Sequence, residues 1–279
     1  MKVKILRRVS PDTESYWETF DAETTQDMTV AGLLDYLNYH DDIMDETGKK
    51  TTRIGWECSC LQGTCGACAM VINGMPALAC ETMVKDLKGN EITIRPLQKF
   101  PVIHDLIVDR TIIHENLRKS NVYIGEYQPP EQMNTKKREK EHEHQYEAAK
   151  CLKCGLCLEV CPNYVNGNTF FGAIFANDCY LVSSRNRTKS AQITKSYSEH
   201  FGRTCSKAFS CMDVCPMQIP TIASMAKMNR RCGEFQDYRT QHASGDDQQP
   251  CPDQKSGGDH KLRDRQTGSH DSERDRKGM

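Results

Sequence analysis

The sequence predicts an α+β protein: a small sheet-and-helix unit, then a mainly helical unit, then a disordered polar tail. Three observations predict it. Short apolar runs at 2–8, 15–21, 69–72 and 91–95 look like strands, while 30–40 carries its apolar residues at helical spacing. A run of cysteines that starts at Cys151 recurs from Cys205 with the same spacing, which marks a duplicated motif. From Gly233 onward the chain holds only Phe235, Leu262 and Met279 from the strongly apolar set. Such a segment cannot bury enough apolar surface to offset its ordering entropy.

Along the chain, the first two strands flank a Ser10-Pro11-Asp12 turn. In the helix over 30–40, Val30, Leu33, Leu34 and Leu37 form the buried stripe and Thr29 is the candidate cap. A cysteine-rich loop follows, then the strand Ala69-Met70-Val71-Ile72, a turn at Asn73-Gly74, and a strand over 91–95 that Pro96 ends. The stretch from Pro101 to Leu106 marks the exit from this unit, and 105–118 is predicted helical. Residues 136–150 are dense in charge, and a solvated helix face is expected there. Their alternating Glu and His, neighbours on a helix, do not face one site. The boundaries are therefore 1–104, 105–232 and 233–279.

Composition excludes several classes. The 37 basic and 38 acidic side chains nearly cancel, so there is no nucleic-acid footprint. No run of about 18 apolar residues exists, so any work at a membrane goes through a partner. No apolar signal region opens the chain, which sets its fifteen cysteines in a reducing compartment and favours metal-bound thiolates over disulfides.

Those thiols form three groups. Cys60, Cys65 and Cys68 have C-x4-C-x2-C spacing and Cys80 follows after eleven residues, the plant-type [2Fe-2S] pattern. Gly63 and Gly66 allow the loop to wrap closely. Cys151, Cys154, Cys157 and Cys161, followed by Pro162, give C-x2-C-x2-C-x3-C-P. Cys205, Ala208, Cys211 and Cys215, followed by Pro216, repeat that run with alanine at the second cysteine. In two-cluster ferredoxins the fourth cysteine of each run ligates the other cluster. The rule makes Cys151, Cys154, Cys157 and Cys215 a complete [4Fe-4S] set. It leaves Cys161, Cys205 and Cys211 for a [3Fe-4S] cluster. Structural zinc is the main rival, since zinc also takes four cysteines, but it pairs two C-x2-C knuckles and fits a repeated four-cysteine run poorly. Cys58, Cys232 and Cys251 are expected to be spectator thiols, and Cys179 is a candidate distant fourth ligand for the three-cysteine site.

Taken together, the first unit is similar to the β-grasp [2Fe-2S] domain of plant ferredoxins, and the second to an α-helical ferredoxin domain. Over about residues 1–232 the chain resembles the iron–sulfur subunit of succinate dehydrogenase and fumarate reductase. Local strings carry the likeness: Cys65-Gly66-Ala67-Cys68-Ala69-Met70, Ile94-Arg95-Pro96-Leu97, and Cys151-Leu152-Lys153-Cys154-Gly155-Leu156-Cys157. The resemblance implies three clusters that pass electrons singly between the FAD of a flavoprotein subunit and a quinone at a cytochrome b-type membrane anchor. It implies a peripheral location on the cytoplasmic face of the bacterial inner membrane, with no dicarboxylate site on this chain. It places the [2Fe-2S] domain by the flavin and Pro162, Ser206, Lys207 and Ala208 on the quinone side. Ubiquinone-linked relatives have a His directly after the first cysteine of the second run and a Trp soon after the proline of the first. Here Ser206 follows Cys205, and Asn163-Tyr164-Val165-Asn166 follows Pro162. Menaquinone becomes the expected acceptor. The alternatives are a soluble electron-transfer subunit of another flavin-dependent reductase, of thiol-linked fumarate reductase or heterodisulfide type, and a zinc-stabilised interaction protein.

Overall fold

The computed structural model describes residues 1–25, 27–39, 42–123 and 138–233. The first unit runs β1 (Lys2–Arg7), β2 (Tyr16–Asp21), α1 (Val30–Tyr39), β3 (Ile43–Met44), β4 (Lys50–Thr51), β5 (Ala69–Ile72), β6 (Met75–Leu78), β7 (Glu91–Arg95), β8 (Val102–His104) and β9 (Ile107–Val108). The helices that follow are α2 (Thr111–Lys119), α3 (Arg138–Ala149), α4 (Leu156–Glu159), α5 (Gly172–Arg185), α6 (Arg187–His200), α7 (Ser210–Asp213) and α8 (Thr221–Arg231).

Alternation on β1 puts Val3, Ile5 and Arg7 on its buried face. It pairs antiparallel with β2 and parallel with β7, giving a five-stranded sheet in the order β2-β1-β7-β5-β6. All four residues of β5 are buried, which explains its unbroken apolar run. Val30, Leu33, Leu34 and Leu37 of α1 share one apolar core with Val3, Ile5, Phe20, Ile92 and Ile94. Thr29 Oγ1 accepts from Gly32 N at 3.1 Å, so the predicted cap is formed. This is the sheet-plus-helix arrangement expected of a β-grasp unit.

The expected helix over 105–118 begins later, at Thr111. Residues 102–108 make an antiparallel hairpin, and the expected boundary at 104/105 falls inside it. The physical reason is Asp105. At φ 46° it forms the hairpin's turn, and its carboxylate accepts from Arg8 N at 2.9 Å and Gly55 N at 2.8 Å. Helix propensity yields to these tertiary bonds. Asp109 Oδ1 then accepts from Thr111 N at 2.8 Å and starts α2.

In the helical unit each cysteine run opens as a turn and feeds a short helix, α4 or α7, before a long one. The expected solvated face on α3 is half right. Glu139, Lys140, His142 and Glu143 are exposed, but Gln145 and Ala148 are buried. Glu141 accepts from Tyr180 Oη at 3.0 Å and from Lys227 Nζ at 3.2 Å, while His144 Nε2 lies 3.1 Å from Ser224 Oγ. The helix therefore docks on α5 and α8 through a polar network whose members satisfy one another. Lys136, Lys137 and the tail from 234 onward lie outside the described residues.

Candidate functional site

The first thiol group lies on the loop between β4 and β5, with Cys80 just after β6. Cys68 and Cys80 bring their sulfurs to 3.3 Å. Backbone amides already point at the sulfurs: Gln62 N and Thr64 N donate to Cys60 Sγ at 3.3 and 3.4 Å, Gly63 N to Cys80 Sγ at 3.3 Å, and Ala67 N to Cys65 Sγ at 3.5 Å. The Thr64 hydroxyl, the Gln62 amide, the Cys65 thiol and the Thr64 amide pull the Cys60 thiol down to about 6, while burial and the Cys68 thiol push Cys80 up to about 11.

In the helical unit the four thiols Cys151, Cys154, Cys157 and Cys215 are electrostatic neighbours, although the last comes from the other run. Burial raises Cys151, Cys154 and Cys157, and each also feels the charge of Cys215. Cys211 is raised to about 11 by burial, then by Cys161 and Cys205. Thiols of the two runs therefore lie near one another, with Cys215 beside the first run and Cys161 beside Cys205 and Cys211. Cys179 is fully buried on α5, where the charges it feels are Asp178 and Cys232.

The duplicated loops share their backbone as well as their spacing. Lys153 and Lys207 both take positive φ, 56° and 58°, and so do Gly155 and Phe209, 89° and 59°. Glycine suits that position, whereas an exposed Phe209 takes it at a steric cost. The expected quinone-side residues Pro162, Ser206, Lys207 and Ala208 are all exposed. Beside Pro162, an open cleft of about 390 Å³ is lined by Gln98, Lys99, Phe100, Pro101, Tyr164, Val165 and Asn166.

The two units meet at the thiols. Gly66, at φ 78°, lies so close to the second loop that a Cβ would fall 2.7 Å from Cys154 Cβ and 3.2 Å from its Cα. Lys99 Nζ donates to Cys161 O, and its backbone N donates to Glu159 Oε2 at 3.0 Å. Gly66→Ala should therefore fail twice, through overpacking and through a left-handed backbone. The expected result is a loss of about 1–3 kcal/mol in urea unfolding, with reduced iron content. Full stability and full iron would sink the close-approach argument.

The donor chemistry suits iron–sulfur clusters. Buried thiols whose ionisation is costly become thiolates when a cationic core shares the site. Among the described residues every cysteine is free of disulfide. No three His, Cys, Asp or Glu side chains among them converge as they would around a single ion. A cluster's thiolates attach to different irons and span a wider cage. The Tyr164 hydroxyl is buried without a hydrogen-bond partner, and burial with the nearby Cys157 raises its phenol to about 12. Cluster sulfur would give that hydroxyl an acceptor.

Sequence reasoning missed Arg110. It sits between β9 and α2 and donates to Gly66 O at 2.9 Å, Ala67 O at 3.3 Å and Cys154 O at 3.4 Å, with an ion pair to Glu57. Nothing in the local pattern marks it, because its partners come from 43 to 53 residues away.

Such a fold and such thiols are those of an iron–sulfur protein, with cysteine groups in two adjoining units. Residues 2–115 match the family described as a 2Fe-2S iron-sulfur cluster binding domain. The chain is 32% identical over 234 residues to the succinate dehydrogenase iron-sulfur subunit of Bacillus subtilis, covering 81% of this chain and 90% of that one. It is 27% identical over 244 residues to the fumarate reductase iron-sulfur subunit of Haemophilus influenzae, with the same coverage. A chain of the Mycobacterium smegmatis Sdh1 complex shares the fold at a TM-score of 0.67 and 23% identity, over 85% of this chain and 96% of that one. The chain belongs to the family of iron–sulfur subunits of succinate dehydrogenase and fumarate reductase.

Proposed function

We propose that this chain carries electrons one at a time between the FAD of a flavoprotein partner and a membrane quinone, with menaquinone as the expected acceptor. Its cofactors are [2Fe-2S], [4Fe-4S] and [3Fe-4S] clusters. When bound, they take up and release single electrons. Cys60, Cys65, Cys68 and Cys80 would hold the first, Cys151, Cys154, Cys157 and Cys215 the second, and Cys161, Cys205 and Cys211 the third. The observation that carries this reading is the contiguity of the three groups: Gly66 abuts Cys154, Cys154 feels Cys215 of the second run, and Cys211 feels Cys161 of the first.

The chain's own residues then do three things. Amides at Gln62, Gly63, Thr64 and Ala67 would stabilise negative charge on the first group's sulfurs. Cys157 packs against the apolar core, which would limit water at the middle of the relay. Exposed Pro162, Ser206, Lys207 and Ala208, beside the cleft at Lys99 and Tyr164, leave the third site's surroundings open to an acceptor. Among the described residues no helix is long and apolar enough to cross a membrane, so a membrane anchor would come from a partner subunit.

Electron paramagnetic resonance tests the reading. The expected result is a three-iron signal in the oxidised protein and a [2Fe-2S] signal on reduction. Zinc with no iron in metal analysis would overturn it, and four-iron signals alone at the helical sites would overturn the role given to Ala208.

A further inference from the structure

We propose that Arg110 is the positioning residue that couples the first two clusters: one guanidinium spans both ligand loops, fixes their separation and stabilises the reduced form at each. The inference rests on the functional reading above.

The geometry is specific. One nitrogen, Nη1, donates to both loops, to Gly66 O at 2.9 Å and to Cys154 O at 3.4 Å. The other, Nη2, donates to Ala67 O at 3.3 Å and faces the Glu57 carboxylate. Gly66 and Ala67 lie between Cys65 and Cys68 of the first group, and Cys154 belongs to the second. The planar five-donor fork of arginine makes this span possible, and the ammonium of lysine cannot reproduce it. The Arg110 side chain is only 18% exposed, so its charge acts through a medium of low polarity, where Coulomb interactions are strong. Reduction adds one negative charge at each site, which a cation between them stabilises. Glu57, 40% exposed and paired with Arg110, offsets part of that field.

Other cations near the thiols lack this position. Lys153, on the second loop, is ion-paired with Asp178 of α5 at 2.6 Å. Lys99 Nζ donates to the Cys161 carbonyl, on the third site's side. Among the described residues, Arg110 is the cation whose hydrogen bonds join the first group to the second.

The test is a redox titration of the full chain with its clusters, followed by electron paramagnetic resonance. Arg110→Gln should lower the midpoints of the [2Fe-2S] and [4Fe-4S] signals together and weaken their magnetic interaction. Glu57→Gln should raise both midpoints and leave that interaction unchanged, an opposite shift that a purely structural role would not produce. The three-iron midpoint should move in neither variant. Unmoved midpoints in both variants, or one uniform shift in all three signals, would overturn the coupling role. If Arg110→Gln fails to assemble, Glu57→Gln decides alone: a joint rise supports the proposal and no change overturns it. If the unmodified chain lacks [2Fe-2S] and [4Fe-4S] signals, the functional reading itself falls, so the two failures are distinguishable.

Discussion

Replacing Ala208 with cysteine should turn the three-iron centre into a four-iron one. The duplicated loop is already shaped to hold that ligand. Lys207 at φ 58° and Phe209 at φ 59° bracket Ala208 as Lys153 at 56° and Gly155 at 89° bracket Cys154. A thiol at 208 would therefore leave the backbone as Cys154 does. Ala208 is exposed, so the larger side chain meets no packed neighbour. The fourth thiolate holds the fourth iron, and the core changes with it. An oxidised three-iron core is all ferric, whereas an oxidised four-iron core is already half ferrous and accepts an electron less readily. The expected result of Ala208→Cys is loss of the oxidised-state three-iron signal, a lower midpoint and slower quinone reduction in the assembled complex. An unchanged spectrum in a variant with full iron content would count against the assignment.

Replacing Arg7 with methionine should cost about 3–5 kcal/mol, the usual result of leaving one partner of a buried ion pair uncompensated. Arg7 and Asp105 are each 1% exposed. Arg7 Nε lies 3.0 Å from Asp105 Oδ1 but is not aligned for a hydrogen bond, so that contact is ionic. Arg7 Nη1 also binds Glu18 at 2.6 Å, and Nη2 donates to Thr52 O at 3.2 Å and Arg53 O at 3.0 Å. Asp105 in turn accepts from Gly55 N. Together they hold residues 52–55, which lead into the loop of Cys60. The loss should appear in urea unfolding of the cluster-loaded chain, together with poorer retention of the [2Fe-2S] signal. The double variant Arg7→Met with Asp105→Asn should lose less than the sum of the singles, because the buried Asp105 carboxylate is then gone as well and only Glu18 is left without its cation. Additive losses would show that the pair is not the source of the effect.

Much of the protein was legible locally. A strand writes its burial at every second residue and a helix at every third or fourth, so β1, β2, α1, β5 and β7 could be found from periodicity. The duplicated run and its one alanine were legible because ligand spacing is a local constraint. The hairpin at 102–108 was not. Its turn is held by bonds from Asp105 to Arg8 and Gly55, about 97 and 50 residues away in sequence. The inward face of α3 escaped for a related reason. Glu141 and His144 look like solvated residues until Tyr180, Lys227 and Ser224 arrive from other helices to satisfy them.

By itself, then, the sequence determined how the cysteines are spaced, the three sets that this spacing proposes, and the family to which the chain belongs. Those facts lie in spacing, and spacing survives without a fold. Only the tertiary structure decided how the sets meet. It laid Gly66 on Cys154, drew Cys215 to the first run and Cys161 to the second, and set Arg110 across the seam. Contacts between residues dozens of positions apart depend on packing two units against each other, and no local pattern of residue types records that geometry.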